Sequence, residues 1–175
     1  MRVIGGEFRS RALKSVPGLD TRPTPDRLRE TLFNVLAPRM EGVTFLDLYA
    51  GTGAVGIEAL SRGAARAIFV EKARAALLTL RDNIRSLGLT PRAEVRQGSP
   101  SKLVPLLHAD IVFLDPPYAQ ENEYSATLNA LAEKAPPLVI VQHSPRLKLA
   151  EQYGPLLRTR VLKQGDNVLS FYAPA

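Results

Sequence analysis

Phe45-Leu46-Asp47-Leu48-Tyr49-Ala50-Gly51-Thr52-Gly53-Ala54-Val55-Gly56 joins an apolar run, an acid near its end, a glycine-rich turn and the start of a helical pattern. Gly51 to Gly56 matches the pattern G-x-G-x-x-G, and Glu71 stands twenty residues after Gly51, at the end of the next apolar run. A glycine loop of this kind lets backbone approach a ligand closely, and an acid at that distance accepts hydrogen bonds from ribose hydroxyls. The glycines alone are a weak signal. Strand, loop, helix, strand and acid in register are a much stronger one. A second apolar run, Ile111-Val112-Phe113-Leu114, ends in the same way on Asp115-Pro116-Pro117-Tyr118.

Outward from these stretches the pattern alternates. The spacing predicts strands over 43–49, 66–71, 93–97, 110–114 and 137–142, and helices over 54–62, 73–87 and 122–134 with a short helical turn near 101–107. Ala76, Leu77, Leu80, Ile84 and Leu87 form one helical stripe, and Gly63 and Gly88 are stop signals. Upstream, Thr24 or Asp26 is expected to cap a helix from about Asp26 to Arg39, with Pro38 and Gly42 marking its end. Stretches 2–5 and 10–16 suggest a small N-terminal hairpin. At the other end, 156–163 and 167–173 alternate around Gln164-Gly165-Asp166, a hairpin signal. The expected architecture is α/β, Rossmann-like: a seven-stranded, mostly parallel sheet with helices on both faces and a closing antiparallel hairpin. Residues 1–24 read as a basic hairpin arm and 25–175 as the main domain.

Composition sets outer bounds. At 175 residues there is room for one full core, and no apolar run approaches the roughly 18 residues of a membrane span. The first residues lack the long apolar core of a signal peptide, so the cytoplasm is the simplest compartment. Without cysteine there is no disulfide, no thiolate metal site and no cysteine nucleophile. No metal and no membrane are expected, and a monomer is. Of the net +6 charge, +4 falls in residues 1–29, where seven basic residues face three acids. Arg2, Arg9, Arg11, Lys14 and Arg22 therefore read as contacts to a polyanion, most simply nucleic acid.

Asp47 narrows the ligand of the glycine loop. A carboxylate four residues before Gly51 repels a pyrophosphate but attracts the cationic amine of an aminoacyl group. S-adenosylmethionine fits these demands: an adenosine for Glu71, an amine near Asp47 and no phosphate. Asp47 and the chain length also disfavour a nicotinamide dinucleotide.

With Asp47-x-x-x-Gly51-x-Gly53, Glu71 and Asp115-Pro116-Pro117-Tyr118 in order, the chain resembles the class I S-adenosylmethionine-dependent methyltransferases. Arg2-Val3-Ile4-Gly5-Gly6, the block Arg22-Pro23-Thr24-Pro25-Asp26-Arg27-Leu28-Arg29-Glu30-Thr31-Leu32-Phe33-Asn34, and Leu60-Ser61-Arg62-Gly63-Ala64 resemble the RsmD family more narrowly. That resemblance runs from the first residue to the closing hairpin. It implies methylation of guanine N2 in 16S ribosomal RNA, within a 30S subunit or assembly intermediate, leaving S-adenosylhomocysteine. It further implies that Asp47, Tyr49, Gly51, Thr52, Gly53, Glu71, Lys72, Ser99 and Thr24 surround the cofactor. Two positions depart from the family pattern. Ser99 stands where many methyltransferases place an acid for the adenine amine, and Gln142-His143-Ser144 follows the fifth strand where the family tends to show an acid. His143 receives no role.

Asp115 to Tyr118 report the chemistry. An aromatic amine is a poor nucleophile because its lone pair is delocalised into the ring. Accepting its two N–H bonds at fixed points, on Asp115 and on the Pro116 carbonyl, pulls the nitrogen toward tetrahedral geometry. Pro116 and Pro117 hold that backbone rigid, and Tyr118 offers a face on which a flipped base stacks. These four residues alone leave adenine N6 in DNA, guanine N2 in RNA and glutamine side chains open. A DNA adenine-N6 methyltransferase and a non-catalytic RNA-binding assembly factor are the alternatives. The Arg22–Thr24 turn is placed to close over cofactor and base.

Overall fold

Each apolar run between turn signals becomes a strand, and the helical stripes fold back over the sheet they connect. The computed structural model describes residues 1–17 and 24–175. In order come α1 (Asp26–Met40), β1 (Thr44–Leu48), α2 (Ala54–Ser61), β2 (Arg66–Glu71), α3 (Arg74–Ser86) and β3 (Ala93–Gln97). They are followed by α4 (Pro100–Leu103), β4 (Ile111–Leu114), α5 (Glu121–Ala132), β5 (Leu138–His143), β6 (Gln152–Tyr153), β7 (Leu156–Gln164) and β8 (Asn167–Pro174). The sheet order is β3-β2-β1-β4-β5-β8-β7-β6, parallel through β5 and antiparallel beyond. The chain reverses its direction of travel across the sheet between β1 and β4, which leaves a crevice outside the carboxyl ends of those strands.

Alternation sorts the central strands into two cores. Phe45, Phe69, Phe113 and Ile140 pack under α1, α2 and α3. Leu48, Val70, Leu114 and Val141 pack with Tyr124, Leu128 and Leu131 of α5. Both faces of β1, β4 and β5 are therefore buried, which accounts for their near-continuous apolar sequences.

The structure corrects the expectations in detail. Among the described residues there are eight strands, because the two-residue β6 pairs with β7 at the edge, where Tyr153 meets Tyr172 edge-on at 5.6 Å. Two residues are too few to show alternation. α1 starts after Pro25 with no side-chain cap, and it runs through Pro38 to Met40. Proline in the last turn removes only one N–H near the end of the ladder. The Thr24 hydroxyl points instead to Gln142 Oε1, 3.5 Å away. The N-terminal hairpin is present in its shortest form, a single bridge between Arg2 and Ala12. Its backbone is drawn to the helices: Ile4 and Gly5 donate to the Glu58 carboxylate, and Phe8 donates to Ser61 Oγ, each at 2.9 Å. Val3 and Leu13 enter the core beneath α1 and α2.

Two glycines of the loop serve packing. Gly53 takes φ +86°, and Gly56 brings α2 against β2 so closely that a Cβ there would lie 2.3 Å from Phe69 Cε1. Gly56→Ala is expected to lower stability by roughly 1–3 kcal/mol, the usual cost of overpacking a filled core. Thermal unfolding measures it, and an unchanged midpoint would mean that α2 is free to move away from the sheet.

Candidate active site

The crevice holds a cavity of about 890 Å³ lined from several parts of the chain. The end of β1 and the glycine loop supply Asp47, Tyr49, Gly51 and Thr52, and the end of β2 supplies Glu71 and Lys72. Ser99 and Pro100 close one side, and Asp115 to Tyr118 form the far wall. Met1, Ser15, Val16, Thr24 and Pro25 of the N-terminal segment cover it. The volume is that of a substantial small-molecule site.

The loop is held by its acids. Glu71 accepts from the Gly51 N–H at 2.8 Å through Oε1, and from the N–H groups of Lys72 and Ala73 at 2.8 and 2.7 Å through Oε2. A carboxylate offers about four acceptor positions, so one is left for a ligand hydroxyl. Asp47 is buried, and its Oδ2 accepts from the Gly56 N–H at 2.9 Å, which ties the end of β1 to the first turn of α2. Burial holds the Asp47 carboxyl well above the usual carboxylate range; the Gly56 hydrogen bond opposes this, and the charges of Asp115 and Glu71 add to it. Asp47, Glu71 and Asp115 thus repel one another and, with Glu123, line one cavity, an arrangement that favours a cationic ligand. Tyr49 takes φ +60°, which swings its ring out of the Asp47 row toward α5; its hydroxyl meets Glu123 Oε2 at 2.8 Å and Thr127 Oγ1 at 2.7 Å. An L-residue in that conformation is strained, and such strain concentrates at functional sites.

On the far wall Asp115 is half-buried, and burial pushes its carboxyl up to about 7. The Tyr124 hydroxyl lies 3.3 Å from the Pro116 carbonyl and 3.2 Å from that of Gln142, fixing the loop from beneath. Tyr118 is exposed, and its hydroxyl donates to Asn167 Oδ1 at 3.0 Å. A hydrogen-bond acceptor, a rigid carbonyl and an exposed ring therefore face one cavity.

Most residues picked out in the sequence converge here. Gly53 does not line the cavity; it lies behind the loop, close to Leu80. Ser99 lines it, with Oγ 3.3 Å from Ser101 Oγ. His143 is packed away from it, between Ser170 Oγ at 2.8 Å and the Ser144 carbonyl at 2.9 Å. Arg2, Arg9, Arg11 and Lys14 are exposed on the N-terminal segment outside the cavity, and Arg22 lies outside the described residues. Sequence reasoning missed Gln142 and Asn167, which are buried at the cavity wall, and Asn83, which joins Lys14 to the Thr52 carbonyl.

The family model described as Conserved hypothetical protein 95 matches residues 1–173. The Bacillus subtilis protein YlbH is 36% identical over 184 residues, spanning 98% of each chain. The chain belongs to the RsmD family of methyltransferases. The Ribosomal RNA small subunit methyltransferase D of Escherichia coli K12 is 40% identical over 134 residues, 76% of this chain and 67% of that one. Among solved structures, yhhF of Escherichia coli superposes with a TM-score of 0.85 at 33% identity, covering 99% of this chain and 97% of that one. A hypothetical protein of Thermus thermophilus superposes at 0.81 and 33%, covering 98% of each. Two of the blocks that carried the resemblance, Arg2–Gly6 and Leu60–Ala64, are docked on each other: Ser61 Oγ donates to the Gly5 carbonyl at 2.6 Å.

Proposed function

We propose that the protein transfers a methyl group from S-adenosylmethionine to the exocyclic N2 of a guanine in small-subunit ribosomal RNA, acting as a cytoplasmic monomer on a 30S subunit or an assembly intermediate. The observation that carries this reading is the meeting of an anionic nucleoside cradle with the Asp115–Tyr118 wall in one cavity. The small-subunit RNA named for the Escherichia coli relative, and the basic N-terminal segment, support the substrate class.

The donor set fits the cofactor. The open acceptor position of Glu71 suits a ribose hydroxyl, the Gly51–Thr52 backbone suits the nucleoside body, and Asp47 with its neighbouring acids suits the cationic arm. Held there by Glu71, Asp47 and the Gly51–Thr52 backbone, S-adenosylmethionine would supply an electrophilic methyl on a sulfonium. Asp115 and the Pro116 carbonyl accept the two N–H bonds of the amine and orient its lone pair. The proton shed by the methylated amine passes to the Asp115 carboxylate, whose position near neutrality suits that role. Tyr118 supports the base from its face. Arg2, Arg9, Arg11, Lys14 and Arg22 contact the phosphate backbone.

The test is transfer of a labelled methyl to small-subunit particles, naked ribosomal RNA and duplex DNA, followed by mass mapping of modified nucleosides. N2-methylguanosine at one position in ribosomal RNA is the expected product. N6-methyladenine in DNA, or no binding of S-adenosylmethionine by calorimetry, would displace the proposal.

A further inference from the structure

Asp115 follows β4 directly, and the register Leu114↔Val141 sets it beside Gln142 on β5, about 5 Å across the ladder. Gln142 pairs with Leu169 of β8, so Asn167 is its diagonal neighbour on the same face. Three polar side chains therefore stand in a row across adjacent strand ends, and all three line the cavity. Gln142 is 3% exposed and Asn167 is 7% exposed. Buried amides are costly unless their hydrogen bonds are complete.

These are not complete. Asn167 Oδ1 accepts from the Tyr118 hydroxyl at 3.0 Å and faces Gln142 Nε2 at 3.5 Å. Among the described residues Gln142 Oε1 has only the Thr24 hydroxyl, also at 3.5 Å. The Asn167 NH₂ has no partner among the described residues, and Asn167 lines the cavity. In the row beside Asp115 the network thus offers an acceptor, Gln142 Oε1, and a donor, Asn167 Nδ2, both on residues that line the cavity.

That order has a chemical counterpart. The edge of guanine reads N2 amine, N1–H donor, O6 acceptor. Adenine presented by its N6 amine offers an acceptor at N1, then a C–H. We infer that Gln142 and Asn167 are the specificity-determining pair of the site: Gln142 Oε1 accepts the guanine N1–H and Asn167 Nδ2 donates to O6, while Asp115 holds N2. This rests on the guanine-N2 reading above. Tyr118 contributes twice, stacking on the base and locking the Asn167 amide in the orientation that presents its donor.

The probe is 2,6-diaminopurine, which keeps the reacting N2 amine but replaces O6 with an amine and the N1–H with a lone pair. Reconstituted small-subunit particles carry guanosine or diaminopurine at the mapped position. Wild-type enzyme is expected to methylate guanosine at least about 100-fold faster, since sites built to pair polar groups reject analogues that leave them unpaired. Gln142→Leu and Asn167→Asp should each cut that ratio by about tenfold or more, with cofactor affinity unchanged. Gln142→Glu keeps the acceptor and should hold the ratio within about threefold; a merely structural role gives no reason for that rescue. A wild-type ratio near one overturns the inference without any variant, so misfolding of one substitution does not shield it. A ratio unmoved by Gln142→Leu and Asn167→Asp, in variants that still bind cofactor, overturns it as well. If wild type makes no N2-methylguanosine at all, the parent reading has failed instead.

Discussion

Asp115→Ala is expected to lower the rate of methyl transfer roughly 10³-fold while leaving S-adenosylmethionine affinity within about tenfold of wild type. The first figure follows from removing a preorganised hydrogen-bonding group at the reacting nitrogen, typically worth about 10²–10³; the proton-accepting role sits on the same carboxyl and does not multiply it. The second follows from the cradle, where Glu71 and Asp47 keep their own backbone partners whether or not Asp115 is present. Single-turnover transfer and calorimetry separate the two. An alanine variant with more than a tenth of wild-type activity would remove Asp115 from the chemistry.

The same carboxyl predicts two pH dependences of opposite sense. In the proposed reaction Asp115 must be ionised to accept the amine N–H bonds, and burial raises it to about 7. Activity at low cofactor concentration should therefore rise through pH 7 and level off above about pH 8. Stability runs the other way. Between the ordinary carboxylate value of 3.8 and about 7, the folded protein keeps a proton that the unfolded chain has lost. Stability from this group is thus full at low pH and falls as pH rises through that window. Asp115→Asn should be more stable than wild type at pH 8, and the gap should close toward pH 4. Because the side chain is half open to the cavity, solvent screens it and the gap at pH 8 is about 1–2 kcal/mol, or ~3–6 °C in melting temperature. An inactive variant that melts higher only at alkaline pH is a signature that simple disruption does not produce.

How much of this was legible in the chain depended on sequence distance. The glycine loop, Glu71 and Asp115–Tyr118 are local patterns, each strand delivering its residues to the crevice by the rules of a parallel sheet. The doubly wound order was likewise implied by alternating strands and helices. The missed residues are long-range partners. Gln142 meets Thr24 across 118 positions, Asn167 meets Tyr118 across 49, and Asn83 meets Lys14 across 69. No periodicity links them, and a lone glutamine or asparagine at a strand end carries no local signature. Tyr49 was placed beside the cofactor by the resemblance alone; only the folded loop shows that its φ is positive. The N-terminal hairpin was legible as a turn, but its dependence on α2 was not.

That dependence gives the second large effect. Glu58 is fully buried, and its carboxylate accepts from the N–H groups of Ile4 and Gly5 at 2.9 Å and from Arg62 Nε at 2.8 Å. Glu58→Ala leaves two backbone donors without their acceptor and a guanidinium without its counter-ion. The expected loss is about 3–5 kcal/mol, the range for breaking one side of a buried charged network, or ~6–20 °C in melting temperature. Ser61 Oγ still bonds the Gly5 carbonyl at 2.6 Å, and Arg29 still donates to the Arg2 carbonyl at 2.9 Å. The segment should therefore loosen before the whole chain unfolds. Limited trypsin digestion should cut Glu58→Ala first at Arg9 and Arg11, which are exposed but held in wild type. Because Met1, Ser15 and Val16 cover the cavity, the same variant should bind S-adenosylmethionine more weakly with every cradle residue intact. Glu58→Gln, which retains one acceptor oxygen, should fall between alanine and wild type in all three measurements. A Glu58→Ala protein within about 1 kcal/mol of wild type, and no more sensitive to trypsin, would show that the N-terminal segment is held by its apolar residues, Val3 and Leu13, rather than by this carboxylate.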